Sequence, residues 1–323
     1  MKQRIHALTR RALIAAASAA ALTAYAQTDT VRLILPNATG SGVDAISRAM
    51  APAFGRALRA SVVVENQPGA GGIVGLQQLA RAQPDGNTLS VVSNNVVIFP
   101  SVIKTLPFDM PGDFTPIALM GATPMVLVVN PSKVSATNSR EFIALLKSKP
   151  NTLNYASGGT GTILHLATEL VLEETGTTAR HIPYKGVGPM VTDLLGGQVD
   201  FGTASLPSLQ QHIKSGALRP IGALTAQRIP AEPGIPTFAE QGLTNFSVEA
   251  WFALIGPKGM NAAAVKKARD ALIVAFDDPA VKEAMVRQGN TISIGTTEQA
   301  AATFRREMAK YAALVKKAGI EPQ

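Results

Sequence analysis

Val31-Arg-Leu-Ile-Leu-Pro-Asn-Ala-Thr-Gly-Ser-Gly-Val-Asp44 starts as a β-rich run, crosses a glycine- and hydroxyl-rich loop, and enters an amphipathic helix. Val62-Val-Val-Glu-Asn-Gln-Pro-Gly-Ala-Gly-Gly72 and Leu153-Asn-Tyr-Ala-Ser-Gly-Gly-Thr-Gly-Thr162 have the same layout. Strand, loop and helix in that order form the repeating unit of an α/β fold with parallel strands. A helix start leaves backbone N–H groups without intrahelical partners, and its dipole favours negative charge there. Each loop therefore reads as a seat for an anion. None of the three loops carries Lys, Arg, His or Cys, which points to holding a ligand rather than transforming it.

The pattern extends outward from these loops. After the first, Ile46, Ala49, Met50, Ala53, Phe54, Ala57 and Leu58 recur at helical spacing and predict one buried face. A strand at Val62–Val64 leads into the second loop, whose helix turns Ile73, Leu76, Leu79 and Ala80 inward. Leu89–Val92 is the next strand and ends at Ser93-Asn94-Asn95. From about Pro124 the alternation restarts, with strands at Met125–Val129, Asn154–Ala156, Arg180–Tyr184, Val199–Thr203 and Ile221–Thr225. A last strand, Trp251–Gly256, precedes helices over 262–276, 279–288 and 297–317. Two α/β lobes follow, residues 27–123 plus 248–323 and residues 124–247, with hinge crossings near 122–126 and 246–251. No internal sequence repeat relates them. Ligands of open α/β sheets sit beyond the C-terminal strand ends, so facing lobes make a cleft.

Residues 1–26 read as a secretory signal peptide, outside the fold. Lys2, Arg4, Arg10 and Arg11 are its basic start, Ala12–Thr23 its apolar run, and Ala24-Tyr25-Ala26 its cleavage signal. We read an ordinary Sec-type start in preference to a twin-arginine one. Its removal takes away four positive charges and no acids, lowering the net charge from +8 to +4. Sparse aromatics (5%) and no dense basic run then argue against nucleic acid. Zero cysteines exclude disulfides and thiolate metal sites. No later segment is apolar and long enough to span a bilayer as a helix. The expectation is a periplasmic monomer, not membrane-embedded, with no cofactor and no metal.

The candidate ligand contacts are Asn37, Ala38, Thr39, Gly40, Ser41 and Gly42 in the first loop, and Ser157, Thr160, Gly161 and Thr162 in the third. Asn94, Asn95, Ala204 and Ser205, at strand ends, join them. The plain alternatives are that Thr160 or Thr162 is merely a helix cap and that Asn94 and Asn95 merely form a turn. Asp44 reads as a helix N-terminal stabiliser and Lys185 as a surface charge. Gly69-Ala70-Gly71-Gly72 with Gly75 looks like a dinucleotide fingerprint, but no acidic residue ends a strand about 20 residues later. Tight packing is the better account. His165, His181 and His212 have no partner at metal-ligand spacing, and Ser157 lacks a nucleophile elbow, so no catalytic machinery is visible.

Seven motifs, in order, resemble the Bug or TctC-like family of extracytoplasmic solute-binding receptors of tripartite tricarboxylate transporters. They are Glu65-Asn-Gln-Pro-Gly-Ala-Gly-Gly72; Pro84-Asp-Gly-Asn-Thr-Leu89; Leu106-Pro-Phe-Asp109 with Asp113-Phe-Thr-Pro-Ile117; Tyr155-Ala-Ser-Gly-Gly-Thr-Gly-Thr162 with His165-Leu166; His181-Ile-Pro-Tyr-Lys-Gly186; Asp193-Leu-Leu-Gly-Gly-Gln-Val-Asp200; and Ile235-Pro-Thr-Phe-Ala-Glu-Gln-Gly242. The resemblance implies a two-lobed periplasmic-binding-protein type II (Venus flytrap) fold. It also implies a small di- or tricarboxylate, acidic amino acid or aromatic carboxylate as ligand, held by backbone, hydroxyls and waters. Delivery would be to the transporter's membrane permease subunits; a sensor-kinase ectodomain as partner, or a periplasmic hydrolase or isomerase, are the alternatives. Two departures stand out. The family's first loop usually reads Pro-Phe-x-Pro-Gly-Gly, where this chain has Asn37 in place of the aromatic. An Asp often precedes Ser-Leu-Pro, where this chain has Ala204, which argues against an amino-acid ligand and for an unaminated acid.

Overall fold

The structure is a computed structural model that describes residues 29–243, 246–317 and 319–322. The signal-peptide reading lies outside the described residues. Among the described residues ten strands run in chain order: β1 (Thr30–Leu35), β2 (Ser61–Asn66), β3 (Thr88–Ser93), β4 (Phe114–Val129), β5 (Asn154–Ser157), β6 (Arg180–Pro183), β7 (Phe201–Ser205), β8 (Arg219–Ala223), β9 (Glu249–Pro257) and β10 (Thr291–Ile292). Interleaved with them are helices α1 (Gly42–Leu58), α2 (Ile73–Ala80), α3 (Asn95–Val102), α4 (Ser139–Ser148), α5 (Ile163–Thr175), α6 (Val187–Leu195), α7 (Leu206–Lys214), α8 (Ala262–Asp277), α9 (Pro279–Arg287) and α10 (Thr297–Lys317).

The strands make one plan twice. In the first sheet β2, β1 and β3 are parallel, β9 lies antiparallel beside β3, and β4 follows, with β10 on its far side. In the second, β6, β5 and β7 lead to an antiparallel β4 and then β8. β4 belongs to both sheets: Phe114–Pro124 pairs with β9, and Met125–Val129 sits between β7 and β8. Sequence periodicity finds only the second half of β4. Pro116 hides the first half by interrupting the pattern, and register shifts beside β9 absorb the irregularity.

Local chemistry sets the helix starts. Ser41 caps α1 by accepting the Asp44 N–H, while Ile46, Met50 and Phe54 fill the core beneath it with no exposed surface. The Ala49 and Ala57 positions of the expected apolar face are only partly buried. The glycine-rich turn at Gly69–Gly72 has positive φ at Ala70, Gly71 and Gly72, and a Cβ at Gly72 would collide with the Pro36 carbonyl. A Cβ at Gly75 would come 3.0 Å from the Gln67 carbonyl oxygen, so these glycines let α2 press against the loop that follows β1.

Two helices were not expected. Asn95 does not end a strand but begins α3, whose Val96, Val97, Ile98 and Phe99 are all buried. With only Pro100 exposed and Ser101 partly buried, the helix has no polar face to show an amphipathic period. α7 begins directly at Leu206, after β7. α10, the last helix, packs along α3 and β4 and reaches the second sheet's helices, where Lys317 pairs with Glu173 at 2.9 Å.

Candidate functional site

Five helices that follow strands of the two sheets start at one place. α1 and α3 approach from the first sheet, and α5, α6 and α7 from the second. A cavity of about 620 Å³, counting the solvent at its mouth, lies where they meet. Every described residue lining it is uncharged.

The sheets' helix starts touch across this cavity. Asn95, at the start of α3, accepts the Ile163 N–H of α5 through its side-chain oxygen at 2.9 Å. The Ser208 hydroxyl on α7 donates to the Gly40 carbonyl at 2.9 Å. A Cβ at Gly42 would sit 3.0 Å from Ser205 Oγ, one at Gly186 would sit 2.8 Å from the Ala38 Cβ, and one at Gly161 would collide with Val102. Glycines are needed here because the two halves are closed on each other.

Asn37, Ala38, Ser41, Gly42, Asn95, Thr162 and Ser205 come together on the cavity wall. Gly42 and Val43 occupy the first turn of α1, where N–H groups lack intrahelical acceptors, and both line the cavity. Leu164, in the first turn of α5, does the same. Ser205 is the N-cap of α7 but makes no capping bond; its hydroxyl lies 3.0 Å from that of Ser208.

The remaining candidates lie elsewhere. Thr39 and Gly40 are exposed, outside the cavity, although the Gly40 carbonyl takes part in closure. Asn94 is fully buried scaffold: its amide donates to the Glu249 carbonyl and to Tyr311 Oη at 2.7 Å, and its oxygen accepts the Trp251 N–H. Ala204 is buried in the second sheet's core, opposite Val126, because alternation along β7 turns it away from the cleft. Ser157 faces away from the cavity, with Oγ 2.6 Å from His181 Nε2. Thr160 is half-buried in the loop, and Gly161 packs on Val102. Thr162 caps α5 and lines the cavity, so the cap and contact readings are compatible.

The two loops are held from behind by different groups. Asp44 accepts the Gly40 N–H at 3.0 Å, Arg48 Nε at 2.7 Å and the Asn66 amide at 3.1 Å. Its carboxylate braces the first loop from outside the cavity. Behind the third loop lie the stacked rings of His165 and His181, their centroids 3.9 Å apart, with Tyr155 stacked on His181 at 4.8 Å. Parallel pairing of β5 and β6 sets Tyr155 beside His181, a contact no sequence spacing could reveal.

The Gly161 N–H donates to His165 Nδ1 at 3.0 Å, which requires that nitrogen to be unprotonated. Burial, together with the facing His181, lowers the His165 pKa to about 3, and burial lowers that of His181 to about 4. Burial pushes the Glu169 carboxyl up, against the hydrogen bond it receives from Tyr155 Oη. Burial also raises the Tyr155 phenol above its ordinary value, and the nearby Glu169 carboxylate adds to the rise.

The cavity floor comes from strands. Ser93 ends β3, Thr123 lies where β4 passes between sheets, and Ala250 and Phe252 come from β9. None was singled out by sequence, since Thr123 meets Ala250 only through the pairing of two remote strands. Phe252 gives the cleft an aromatic wall, which the first loop lacks at Asn37. Orphan N–H groups, hydroxyls and converging helix dipoles can hold an anion, while Phe252, Val43 and Val187 can cover an apolar body.

The sequence model for the tripartite tricarboxylate transporter family receptor matches residues 46–320. BugT of Bordetella pertussis is 34% identical over 291 residues, covering 90% of this chain and 89% of its own. The solved periplasmic binding protein BugD has a TM-score of 0.86 at 32% identity, over 91% of this chain and 99% of its own. The structure of R. palustris Rpa4515 with adipate has a TM-score of 0.87 at 26% identity, over 91% of this chain and 98% of its own.

Proposed function

This chain belongs to the tripartite tricarboxylate transporter receptor (TctC) family of solute-binding proteins, which are not enzymes, and on that premise we propose that it captures a small carboxylate in the cleft between its lobes and delivers it to the permease subunits of such a transporter. The observation that carries the reading is the cavity lined without a single charge between helix starts of both sheets. Partial positive charge at those starts, with N–H and hydroxyl donors, favours an anion without a fixed cation. The adipate in a structural relative supports a carboxylate of that size. With no acidic side chain on the wall, nothing fixed awaits a ligand ammonium, and an unaminated acid is the better fit.

The proposal takes residues 27–123 plus 248–323 as one lobe, 124–247 as the other, and the periplasm as the working compartment of a monomer exported by its N-terminal signal. The ligand drives closure, because contacts to both lobes form only when the cleft is shut. Among the proposed ligand contacts are Asn37, Ala38, Ser41, Gly42, Asn95, Thr162 and Ser205. A thermal-shift and calorimetry panel of di-, tri- and aromatic carboxylates tests the reading. The right acid at 100 times its Kd stabilises the fold by about 2.7 kcal/mol. A panel in which no carboxylate binds ends it.

A further inference from the structure

Thr123 is 1% exposed, lines the cavity floor, and its hydroxyl has no hydrogen-bond partner among the described residues. Burying a hydroxyl unpaired is unfavourable, and most such groups in folded chains find a partner. The neighbouring floor supplies none: Ala250, paired with Thr123 across the strands, and Phe252 are apolar, and Ser93 at the end of β3 makes no bond to it. The other hydroxyls of the wall are engaged or lie at helix starts, as with Ser208 on the Gly40 carbonyl and Thr162 on the Gly159 carbonyl. The cavity is thus divided, with amide donors and engaged hydroxyls where the helices begin, and the Thr123 hydroxyl, buried without a partner, beside Ser93 and apolar groups where β4 passes between sheets.

From this division we infer that the ligand is an acid with a second hydrogen-bonding group at the end remote from its bound carboxylate, and that this group pairs with the Thr123 hydroxyl. The inference rests on the carboxylate-receptor reading and sharpens it. A hydroxyl can donate to a carbonyl or carboxylate and accept from an alcohol, so Thr123 suits several such ends. It rejects a methyl in that place, because the methyl leaves the hydroxyl buried and unpaired. Thr123 is then a specificity residue in the floor, apart from the loops that hold the carboxylate.

The test compares hexanoate, 6-hydroxyhexanoate and adipate, which share one chain and differ at the far end, by calorimetry on the wild-type chain and on Thr123→Val and Thr123→Ser. At least one of the two acids with a polar end is expected to bind the wild type tenfold or more tighter than hexanoate. Thr123→Val brings that ratio to within about threefold, and Thr123→Ser keeps it. The ligand-free Thr123→Val chain melts no lower than the wild type, since valine removes an unpaired hydroxyl without leaving a void. A preference that survives in Thr123→Val overturns the inference, as does hexanoate binding the wild type as well as both partners. If the broader carboxylate panel shows no binding to the wild type at all, the receptor reading fails and takes this inference with it.

Discussion

The loop at residues 36–42 and the loop at 157–162 follow the same kind of strand, precede the same kind of helix and face each other across one cleft, but they are braced by different chemistry. A carboxylate fixes the first: Asp44 holds the Gly40 N–H and is itself held by Arg48 and Asn66. An uncharged imidazole stack fixes the second: His165 accepts the Gly161 N–H, and His181 lies against Ser157. Either device keeps net charge out of the cavity. The first neutralises a charge locally, and the second excludes it by burial. A shared layout in sequence therefore sets where an anion can sit, but not what stiffens the seat or how the seat responds to its surroundings.

Acid separates the two braces most strongly. The unfolded chain's imidazoles titrate near 6.5, whereas the folded values are about 3 for His165 and about 4 for His181. As pH falls, the unfolded chain takes up protons first, so stability is complete above 6.5 and is lost between 6.5 and the folded values. Each histidine contributes a slope of at most about 1.4 kcal/mol per pH unit. Glu169 acts in the opposite sense, because its raised folded pKa binds a proton before the unfolded carboxyl does. We expect a net fall of about 2–3 kcal/mol between pH 6.5 and 4.5 in denaturant titrations, flattened in His181→Gln. A flat wild-type profile breaks the contrast.

Glycine substitutions sharpen it next. Gly161 (φ +72°) faces Val102 of the other sheet's helix, whereas Gly40 (φ +81°) has nothing within 4 Å of where a Cβ would be. Gly161→Val is expected to weaken carboxylate binding about a hundredfold or more, roughly 2.7 kcal/mol, by holding the lobes apart. Gly40→Ala incurs only left-handed strain, about 1–2 kcal/mol of unfolding free energy, with little change in affinity. Equal affinities in the two variants would place the closing contact elsewhere.

The bonds across the cleft give the smaller effects. Asn95→Ala strands the buried Ile163 N–H, and calorimetry should read a roughly tenfold loss of affinity, with the melting temperature shifting less. Ser208→Ala removes a bond made at an exposed position, and a loss of about threefold or less is expected. If Ser208→Ala outweighs Asn95→Ala, closure depends on the rim and not on the helix starts.

Much of this was legible in sequence, for reasons particular to each element. The strand, loop and helix around Val31–Leu58 announce themselves by a β-rich run, a glycine- and hydroxyl-rich loop and then apolar residues at helical spacing. α3 does not, because a largely buried helix whose exposed residue is Pro100 has no polar face to mark its turn. The wall residues of the first loop could be read because the donors lie consecutively along the chain. The floor could not, since Ser93, Thr123 and Phe252 come from three strands joined only by pairing. For the same reason Asn94 and Asn95, adjacent in sequence, split between scaffold and cleft.

The continuity of β4 also constrains how this chain can be divided. Removing Met125–Val129 takes the inserted strand from between β7 and β8, and removing Phe114–Pro124 strips β9 of its outer neighbour. A cut near Pro124 leaves β9 on the C-terminal fragment, parted from β3 and from Phe114–Pro124, so each fragment carries an open sheet edge where those strands had met. Such halves are expected to be insoluble when made separately and to regain solubility when produced together, so the unit that evolution or an engineer can transplant is the whole pair.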